Sequence, residues 1–504
     1  MMIKTVTDYL ERTARRLPDK TAFADDRREI TFAALRREAR GTAQTLINRA
    51  LFRRPVAVYM DKCVEYIGAM LGVTYSGNYY TALDAHMPPA RIRKILDTLE
   101  PAVILTDEAH AEAARSFAGD AEVLLYTEAA AEEPDDAALA EVRGRILYTD
   151  VMFVLFTSGS TGVPKGVTMQ HRAAIPYAEW GSEKFGLNET TVFAQQVPLY
   201  FVASCFEIFH TLRNGCTTYL VSKEAFSFPA LLMGFLQEKK INFVVLVPSV
   251  MCMVANFGAL EEMRAEYLQT VIFGGEAMPA KQMNMWKRAY PDVAFYNIYG
   301  LTETLDDSIY FYVDREMDES EPMPIGRACE HMDFFLLDDA GRRIPTGEAG
   351  TVGEICGRGP SLAAGYYKDP EMTARVFCQD PENDIYPDVV FHTGDLARYN
   401  DRGEIVYICR KDFQIKHMGN RIELGEIEAA ASALPGVEGC CCLYDGARDR
   451  IVLFYAGGAE QTEVLSALRG ALPDYMVPNR LRHMEELPLN FNGKVDRASL
   501  KELI

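Results

Sequence analysis

A segment rich in hydroxyls and glycines, with one lysine, spans residues 157–166 of this 504-residue chain. The apolar run Val151–Phe156 precedes it and predicts a buried strand that leads into a polar turn. Glycines let backbone N–H groups approach an anion, hydroxyls add donors, and the lysine adds a positive charge. The segment therefore predicts a phosphate-binding loop. Its candidate residues are Thr157, Ser158, Gly159, Ser160, Thr161, Gly162 and Lys165.

The spacing of this loop differs from the Walker A pattern. Pro164 stands where the Gly-Lys-Ser/Thr triplet should begin, so a different scheme of nucleotide binding is implied. The alternative interpretation is an ordinary polar linker, since clusters of this composition also mark common loops.

The longer string of residues 154–170, VLFTSGSTGVPKGVTMQ, is far more specific. It closely resembles the phosphate loop of adenylate-forming enzymes, the superfamily of acyl-CoA synthetases, luciferases and adenylation domains of nonribosomal peptide synthesis. Further strings that resemble this family occur at residues 272–277, 297–303, 353–359, 392–395, 410–428 and 489–496. The resemblance covers most of the chain and implies ATP and Mg²⁺ as cofactors.

The resemblance assigns roles to residues in several of these strings. Tyr299 would stack on adenine, Thr302 would meet the phosphate, and Glu303 would hold Mg²⁺, a hard cation that prefers carboxylate oxygens. Asp395 would take both ribose hydroxyls, and Arg410 would also contact the ribose. The other residues implied for the ATP site are Gly275, Glu276, Ala277 and Asn297.

The resemblance of the C-terminal strings implies a mobile C-terminal domain. By resemblance Asp412 is the hinge about which a C-terminal lid rotates, and Lys494 is the catalytic lysine of the first half-reaction. Lys494 joins Thr302 and Glu303 as the expected catalytic residues, while the region of Gly419 would line the tunnel for a thiol.

Apolar runs alternate with helical stretches along most of the chain, which predicts an α/β fold with parallel sheet. From about Pro322 the segments become short, β-rich and separated by turn residues, which predicts a small antiparallel sheet or barrel. We expect a large N-terminal domain, residues 1–411, made of two α/β subdomains and a small β subdomain. Residues 412–504 are expected to form a mobile α+β lid.

The composition of the chain limits the classes of molecule that it is expected to bind. Lys+Arg 52 against Asp+Glu 72 gives a net charge of −20, which disfavours binding to nucleic acid or to an anionic membrane. The chain has no apolar run long enough to span a membrane and no signal-peptide pattern, so we expect a cytoplasmic enzyme. The eleven cysteines lack metal-site spacing and are expected to be reduced, mostly as small core residues.

The resemblance implies two reactions: a small carboxylic or amino acid and ATP form an acyl-adenylate, and a phosphopantetheine thiol then displaces AMP. Stand-alone amino-acid-activating domains and D-alanine carrier-protein ligases are the most similar branch. Because the sequence ends at Ile504, ten residues after Lys494, we expect the carrier protein to be a separate chain. The alternatives are an aryl- or short-chain acyl-CoA ligase and a non-catalytic binding module, which the intact Lys494 and Glu303 disfavour.

One position departs from the amino-acid-activating branch. Val202 stands where that branch places an Asp to pair with the substrate's α-ammonium, and an ammonium left unpaired would cost on the order of several kcal/mol. Either the substrate has no α-amino group, or another acid binds it. Asp306 and Asp307 are the candidates, although a solvated turn is an equal alternative. The other pocket residues implied by resemblance are Phe201, Ala203, Phe206, Ile272, Gly274 and Ile298.

Overall fold

The computed structural model describes residues 2–158, 163–411, 414–488 and 495–504. Its strands are β1 Thr21–Ala24, β2 Glu29–Thr31, β3 Pro55–Met60, β4 Tyr79–Asp84, β5 Val103–Thr106, β6 Glu122–Leu125, β7 Val151–Thr157, β8 Lys165–Gln170, β9 Val192–Gln195, β10 Thr217–Leu220, β11 Phe243–Leu246, β12 Thr270–Gly274, β13 Ala294–Leu301, β14 Asp306–Tyr312, β15 Arg327–Ala328, β16 Asp333–Leu337, β17 Arg343–Ile344, β18 Val352–Arg358, β19 Gly365–Tyr366, β20 Phe377–Gln379, β21 Val389–Tyr399, β22 Ile405–Arg410, β23 Gln414–His417, β24 Asn420–Glu423, β25 Gly439–Asp445, β26 Arg450–Ala456 and β27 Arg480–Met484.

The α-helices are α1 Val6–Arg16, α2 Phe32–Asn48, α3 Val64–Tyr75, α4 Pro89–Leu99, α5 Ala111–Phe117, α6 Tyr126–Ala131, α7 Asp136–Arg145, α8 His171–Lys184, α9 Cys205–Asn214, α10 Lys223–Ser227, α11 Pro229–Glu238, α12 Pro248–Asn256, α13 Ala259–Glu262, α14 Ala280–Ala289, α15 Pro370–Val376, α16 Leu424–Ser432, α17 Gln461–Ala471 and α18 Arg497–Lys501. Short 3-10 helices span Val202–Ser204, Thr302–Thr304 and Asp474–Met476. Among the described residues, none of these helices is both long and apolar enough to cross a membrane.

The chain divides into two compact units. The first consists of Met1–Ala85, Glu100–Leu155 and Gly166–Cys409. The second consists of His86–Leu99, Phe156–Lys165 and Arg410–Ile504. The domain boundary expected between residues 411 and 412 stays a prediction, because residue 412 lies outside the described residues.

Two large sheets are built mainly from parallel strands. The nine-stranded sheet has the order β15-β14-β13-β12-β11-β9-β10-β1-β2, and its strands from β13 to β1 pair in parallel. The seven-stranded sheet has the order β19-β8-β7-β4-β3-β5-β6, with parallel pairing from β7 to β6. The α/β class predicted from alternating apolar runs is therefore confirmed.

The β-rich stretch after Pro322 forms a third sheet in the first unit. Its strands have the order β17-β16-β18-β21-β20, with β22 also paired to β21, and the pairings among the first five are antiparallel. The predicted small antiparallel subdomain is thus confirmed.

The second unit has the α+β composition expected for the C-terminal part. The hairpin of β23 and β24 precedes α16, and β25, β26 and β27 form a three-stranded sheet. Ile422, Ile427, Tyr455 and Leu468 share its buried core. The period-2 pattern of the strands and the helical spacing of the apolar residues explain this core.

Helix α1 illustrates how local sequence sets an element. Val6, Tyr9 and Leu10 recur at helical spacing and are all buried against the core. At its start the Asp8 carboxylate accepts a hydrogen bond from the Thr5 N–H at 3.2 Å, which satisfies a donor that the helix leaves unpaired. The helical spacing of these apolar residues thus accounts for the buried face of α1.

We expect Trp286→Ala to destabilise the first unit by about 3–5 kcal/mol, the range for removing a buried aromatic side chain. Trp286 is fully buried, and its indole N–H donates to the Met251 carbonyl at 2.9 Å. Denaturant unfolding followed by far-ultraviolet circular dichroism would measure the change. Phe257→Ala is the control, because the Phe257 side chain is 76% exposed and its loss should change stability little; equal losses would contradict the core assignment.

Candidate active site

The candidate site is organised by the turn between β13 and β14. Gly300 lies so close to the next strand that a Cβ atom there would meet the Asp306 carbonyl oxygen at 1.4 Å. The antiparallel register shifts between Tyr299 and Gly300, and Gly300 then pairs with Asp307. Only glycine permits this approach, which explains its place in the YGLTE string.

Tyr299 and Asp395, both expected to contact the nucleoside of ATP, lie in contact. The Tyr299 hydroxyl donates to Asp395 Oδ2 at 2.5 Å, and both side chains are buried. The Asp395 N–H donates to Thr393 Oγ1 at 3.0 Å, after a left-handed Gly394 with φ +76°. Strands β13 and β21 therefore bring together an aromatic ring and a carboxylate that sequence reasoning assigned separately.

Glu303, the expected Mg²⁺ ligand, lies in the 3-10 turn that follows β13. Its carboxylate is 1% exposed and accepts a hydrogen bond from the Tyr366 hydroxyl at 2.7 Å. Its carbonyl accepts from the Ala363 N–H at 2.8 Å. Thr302, directly before it, is half-buried. Because hydrogen bonds fix both the backbone and the carboxylate, the Glu303 oxygens are held in one position.

The expected adenine turn follows β12. A Cβ atom at Gly274 would meet the Ile298 carbonyl oxygen at 2.3 Å, and Gly275 adopts φ +88°. The Glu276 carboxylate accepts from the Ser249 N–H at 3.0 Å, while Ala277 is exposed. These glycines form a narrow backbone cradle that side chains would fill.

Asn297 lies on β13 and is buried. Its side-chain amide donates to the Pro324 carbonyl at 2.8 Å. This contact supports the connection to the small sheet, a structural role that the sequence did not indicate. The proposed nucleotide contact of Asn297 stays a prediction.

The described part of the phosphate loop belongs to the second unit. Lys165 Nζ lies 3.3 Å from Glu423 Oε1, and both side chains are largely buried. The Ser158 hydroxyl donates to the Arg421 carbonyl at 2.9 Å, and the Thr157 hydroxyl lies 3.5 Å from the Lys165 carbonyl. The lysine expected to meet phosphate is therefore already paired with a carboxylate.

Several predicted residues lie outside the described residues. They are Gly159, Ser160, Thr161 and Gly162 of the loop, the hinge residue Asp412 and the catalytic residue Lys494. Arg410 ends β22 and is half-buried. The roles of all these residues stay predictions.

The expected substrate pocket has an apolar wall. Val202 begins a 3-10 helix and is 7% exposed, and Phe206 follows in α9 with its ring stacked on Phe243 at 5.6 Å. Ile272 and Ile298 are buried on the adjacent strands β12 and β13. Other expected pocket residues, half-buried here, are Phe201, Ala203 and Gly274.

The two candidate acids begin strand β14 and differ in exposure, since Asp306 is half-buried and Asp307 is buried. Asp307 is 2% exposed, and burial, followed by the charge of Asp306, raises the pKa of its carboxyl well above the usual range. Asp306 has φ +76°, and Leu305 before it has φ +58°, a conformation that costs free energy for residues other than glycine. The solvated-turn alternative is wrong for Asp307.

Sequence reasoning missed two residues near the site. The Tyr366 hydroxyl contacts Glu303, a role that the sequence did not indicate. Glu207, on α9 after Val202, is fully buried, and burial raises the pKa of its carboxyl to about 8. A single acid within the apolar run Cys205–Phe209 was the available signal for Glu207.

Comparison with known proteins identifies the family. The model of the family AMP-binding enzyme matches residues 10–367 of the chain. The chain belongs to the AMP-binding enzymes. It is accordingly an AMP-forming adenylation ligase, and membership implies the use of ATP.

Relatives of this AMP-binding enzyme include a carrier-protein ligase and a tyrocidine synthase. The chain is 32% identical to the L-proline–[L-prolyl-carrier protein] ligase of Streptomyces coelicolor, with 88% of the chain and 86% of that protein covered. It is 28% identical to tyrocidine synthase 1 of Brevibacillus parabrevis, over 99% of the chain but 45% of that protein. The chain thus spans less than half the length of this synthetase.

Among solved structures, holo-PA1221, an NRPS protein containing adenylation and PCP domains, superposes with a TM-score of 0.85. The identity is 24%, and the match covers 99% of the chain and 84% of that protein. At this identity the likeness shows the fold alone.

The described residues fit the expected nucleotide and metal. The cradle has no room for a Cβ atom at Gly274, and Gly275 adopts a positive φ that disfavours other residues. The buried Glu303 carboxylate offers a hard oxygen, which Mg²⁺ prefers. Tyr299 would supply the aromatic face that a base requires.

We expect Tyr366→Phe to lower pyrophosphate exchange about 10-fold and to raise the Mg²⁺ concentration required. The reason is that it removes a hydrogen bond to a charged carboxylate, worth about 1.5 kcal/mol or more. Exchange measured across a Mg²⁺ titration tests this. Tyr367→Phe is the matched control, because that hydroxyl lies 2.9 Å from the Tyr79 hydroxyl instead. Identical Mg²⁺ profiles of both variants and wild type would remove Tyr366 from the positioning of Glu303.

Proposed function

We propose that this enzyme activates a small carboxylic or amino acid as its acyl-adenylate and transfers the acyl group to the phosphopantetheine thiol of a separate carrier protein. The observation that carries the proposal is the pair of buried hydrogen bonds around the end of β13. Tyr299 contacts Asp395, and Tyr366 contacts Glu303, so the residues expected at the nucleoside and at the metal are held in place together.

One relative supports a carrier protein as the acceptor. The ligase of Streptomyces coelicolor carries a prolyl-carrier protein in its name and matches most of both chains. This similarity favours a carrier protein over coenzyme A. Loading of a phosphopantetheinylated carrier protein, compared with AMP release driven by coenzyme A, separates the two acceptors.

In the first half-reaction a carboxylate oxygen of the substrate attacks the α-phosphate of ATP. The new P–O bond forms as the bond to the β-phosphate oxygen breaks, and pyrophosphate leaves. Negative charge grows on the phosphate oxygens, so Thr302, Lys494 and the loop around Lys165 would act by positioning and electrostatic stabilisation. Mg²⁺ held by Glu303 would supply additional positive charge.

In the second half-reaction the thiol sulfur attacks the acyl carbon. The C–S bond forms, the bond to the AMP oxygen breaks, and the thiol proton passes to solvent. We propose that residues 412–504 rotate about Asp412 between the two steps, which withdraws Lys494 and brings the region of Gly419 to the thiol.

We expect Lys494→Ala to abolish adenylate formation while thioester formation from supplied acyl-adenylate continues, because Lys494 acts only in the first step. Pyrophosphate exchange and carrier loading from synthetic acyl-adenylate measure the two steps separately. Lys501→Ala, on an exposed position of α18, is the control and should retain both. Equal loss of both half-reactions in Lys494→Ala would indicate a structural lysine.

The Val202 side chain is expected to affect which acids the enzyme accepts as substrates. Val202 is buried and apolar, so an α-ammonium beside it would lose its hydration without gaining a charged partner. We therefore propose that standard α-amino acids are poor substrates. An acid without an α-amino group, or with its amine farther from the carboxylate, fits the wall better.

We expect Val202→Asp to shift preference toward α-amino acids by roughly 10- to 150-fold, the factor that a charge-assisted hydrogen bond supplies. The measurement is the ratio of kcat/KM for alanine and for propanoate in pyrophosphate exchange. Val202→Asn, which has similar size but no charge, is the matched control. If wild type uses alanine or phenylalanine efficiently and Val202→Asp changes nothing, this placement of the pocket is wrong.

A further inference from the structure

Two buried carboxyl groups near the expected pocket have oxygens without hydrogen-bond partners among the described residues. Both oxygens of Glu207 and Oδ2 of Asp307 are in this state. Glu207 is 0% exposed and Asp307 is 2% exposed. Buried polar atoms are almost always hydrogen-bonded, so each exception needs an explanation. We call these two residues the buried acid pair.

The acids of the pair lie close enough to affect each other. The charge of Glu207 contributes to raising the pKa of Asp307, after burial and the charge of Asp306. The charge of Asp306 likewise contributes to raising the pKa of Glu207. Burial and then the charge of Asp307 raise the pKa of Tyr177, which is fully buried. The carboxyl groups of Glu207 and Asp307 are therefore buried within the range of each other's charge, with the half-buried Asp306 next to Asp307.

Lys62 brings positive charge to this region, since its charge acts on Glu207. Its ammonium donates to the carbonyls of Gln195 and Gln196 at 3.3 and 3.1 Å. Burial lowers the pKa of Lys62 to about 8, which leaves its positive charge weakly stabilised. The pKa of Glu207 stays raised to about 8 despite this ammonium, so a further cation bound beside Glu207 would favour the charged form of its carboxyl.

The neighbouring imidazoles of His210 and His331 do not supply a positive charge to this region. His210 Nδ1 lies 2.7 Å from the Phe206 carbonyl, and burial lowers the pKa of this histidine to about 3. His331 lies beside Tyr177, with ring centroids 6.4 Å apart, and burial lowers its pKa to about 4. Both rings are neutral at pH 7. A bound ligand can therefore supply the positive charge that these neighbours do not.

The location of the buried acid pair indicates which ligand would supply this positive charge. Glu207 lies on α9 just after the Val202–Ser204 turn, and Asp307 follows Asp306 at the start of β14. Val202, Asp306 and Asp307 all belong to the expected substrate pocket. A bound acid would therefore have its remote end near the buried acid pair and its reacting carboxylate toward Thr302.

We propose that the acid substrate carries a primary ammonium separated from its carboxylate by several carbon atoms, and that Glu207 and Asp307 bind this ammonium. This inference rests on the proposed function and specifies its substrate class. An ammonium has three N–H donors and no acceptor, which matches the three carboxyl oxygens that have no partner within the described chain. Val202 and Phe206 would pack against the methylene groups between the two ends.

Matched pairs of acids that differ only in the amine test the proposal. They are 4-aminobutanoate and butanoate, 5-aminopentanoate and pentanoate, and 6-aminohexanoate and hexanoate, with alanine as the α-amino reference. In wild-type pyrophosphate exchange, kcat/KM should be roughly 10- to 150-fold higher for the amine than for its partner in at least one pair.

Isosteric variants locate the binding site. Glu207→Gln and Asp307→Asn remove charge with little change in size, and each should bring the ratio within the best pair toward one, mainly through a higher KM for the amine. Asp339→Asn, at an exposed position, is the matched control and should keep the wild-type ratio. Thermal unfolding without ligand should show no loss of stability in either pair variant, because an unpartnered buried carboxyl contributes none.

The outcomes separate this inference from the proposed function. Exchange that favours the amine-free member of every pair, or alanine, overturns the distal ammonium while adenylation stands. An unchanged ratio in folded Glu207→Gln and Asp307→Asn overturns the assignment of the site. Absence of exchange with every acid overturns the proposed function and this inference with it. If the variants do not fold, the wild-type ratios alone decide.

Discussion

The close approach of Gly300 to Asp306 is the constraint on which the candidate site depends. A Cβ atom at position 300 would lie 1.4 Å from the Asp306 carbonyl oxygen. Because Gly300 has no Cβ atom, β13 and β14 can join through a single 3-10 turn. That turn places Glu303 beside Tyr366 on one side and Asp307 in the interior on the other. Positive φ angles at Leu305 and Asp306 are the conformational cost of this geometry. The residues that we propose for nucleotide chemistry and for substrate selection thus share one short stretch of backbone.

The interior next to this turn contains buried polar atoms that lower the stability of the folded protein. Glu207 and Asp307 have buried oxygens without partners in the described part of the chain, and each such group costs about 1–3 kcal/mol. By contrast, the core around Trp286 is apolar and satisfied, with its indole N–H paired to a carbonyl. Proteins accept local destabilisation where a ligand compensates for it. The contrast between the unpartnered acids and the satisfied core around Trp286 therefore favours a ligand-binding role for Glu207 and Asp307.

Much of the fold was predictable, because period-2 and helical apolar patterns are local properties. The alternation of apolar runs and helical stretches indicated the parallel sheets, and the turn-rich segments after Pro322 indicated the antiparallel sheet. The exposure of small residues is not a local property: Ala129 and Ala130 lie in the acidic segment of residues 128–141 and are nevertheless buried in α6, because tertiary packing decides it. Long-range contacts such as Tyr366 to Glu303 have no local signal. Burial of Asp307 likewise depends on the strand pairing that the sequence does not display.

The ion pair between Lys165 and Glu423 connects the lysine that we expect to bind phosphate with the hairpin of β23 and β24. Glu423 also accepts a hydrogen bond from Gln414 Nε2 at 2.7 Å, and Arg421 donates to Gln414 Oε1 at 2.7 Å. In the proposed role of Lys165, a triphosphate would compete with this carboxylate for the lysine, so the free energy of nucleotide binding would be reduced by whatever the pair contributes. Thermodynamic linkage is reciprocal: a hairpin that releases Glu423 would raise nucleotide affinity, and bound nucleotide would favour the released hairpin by the same factor.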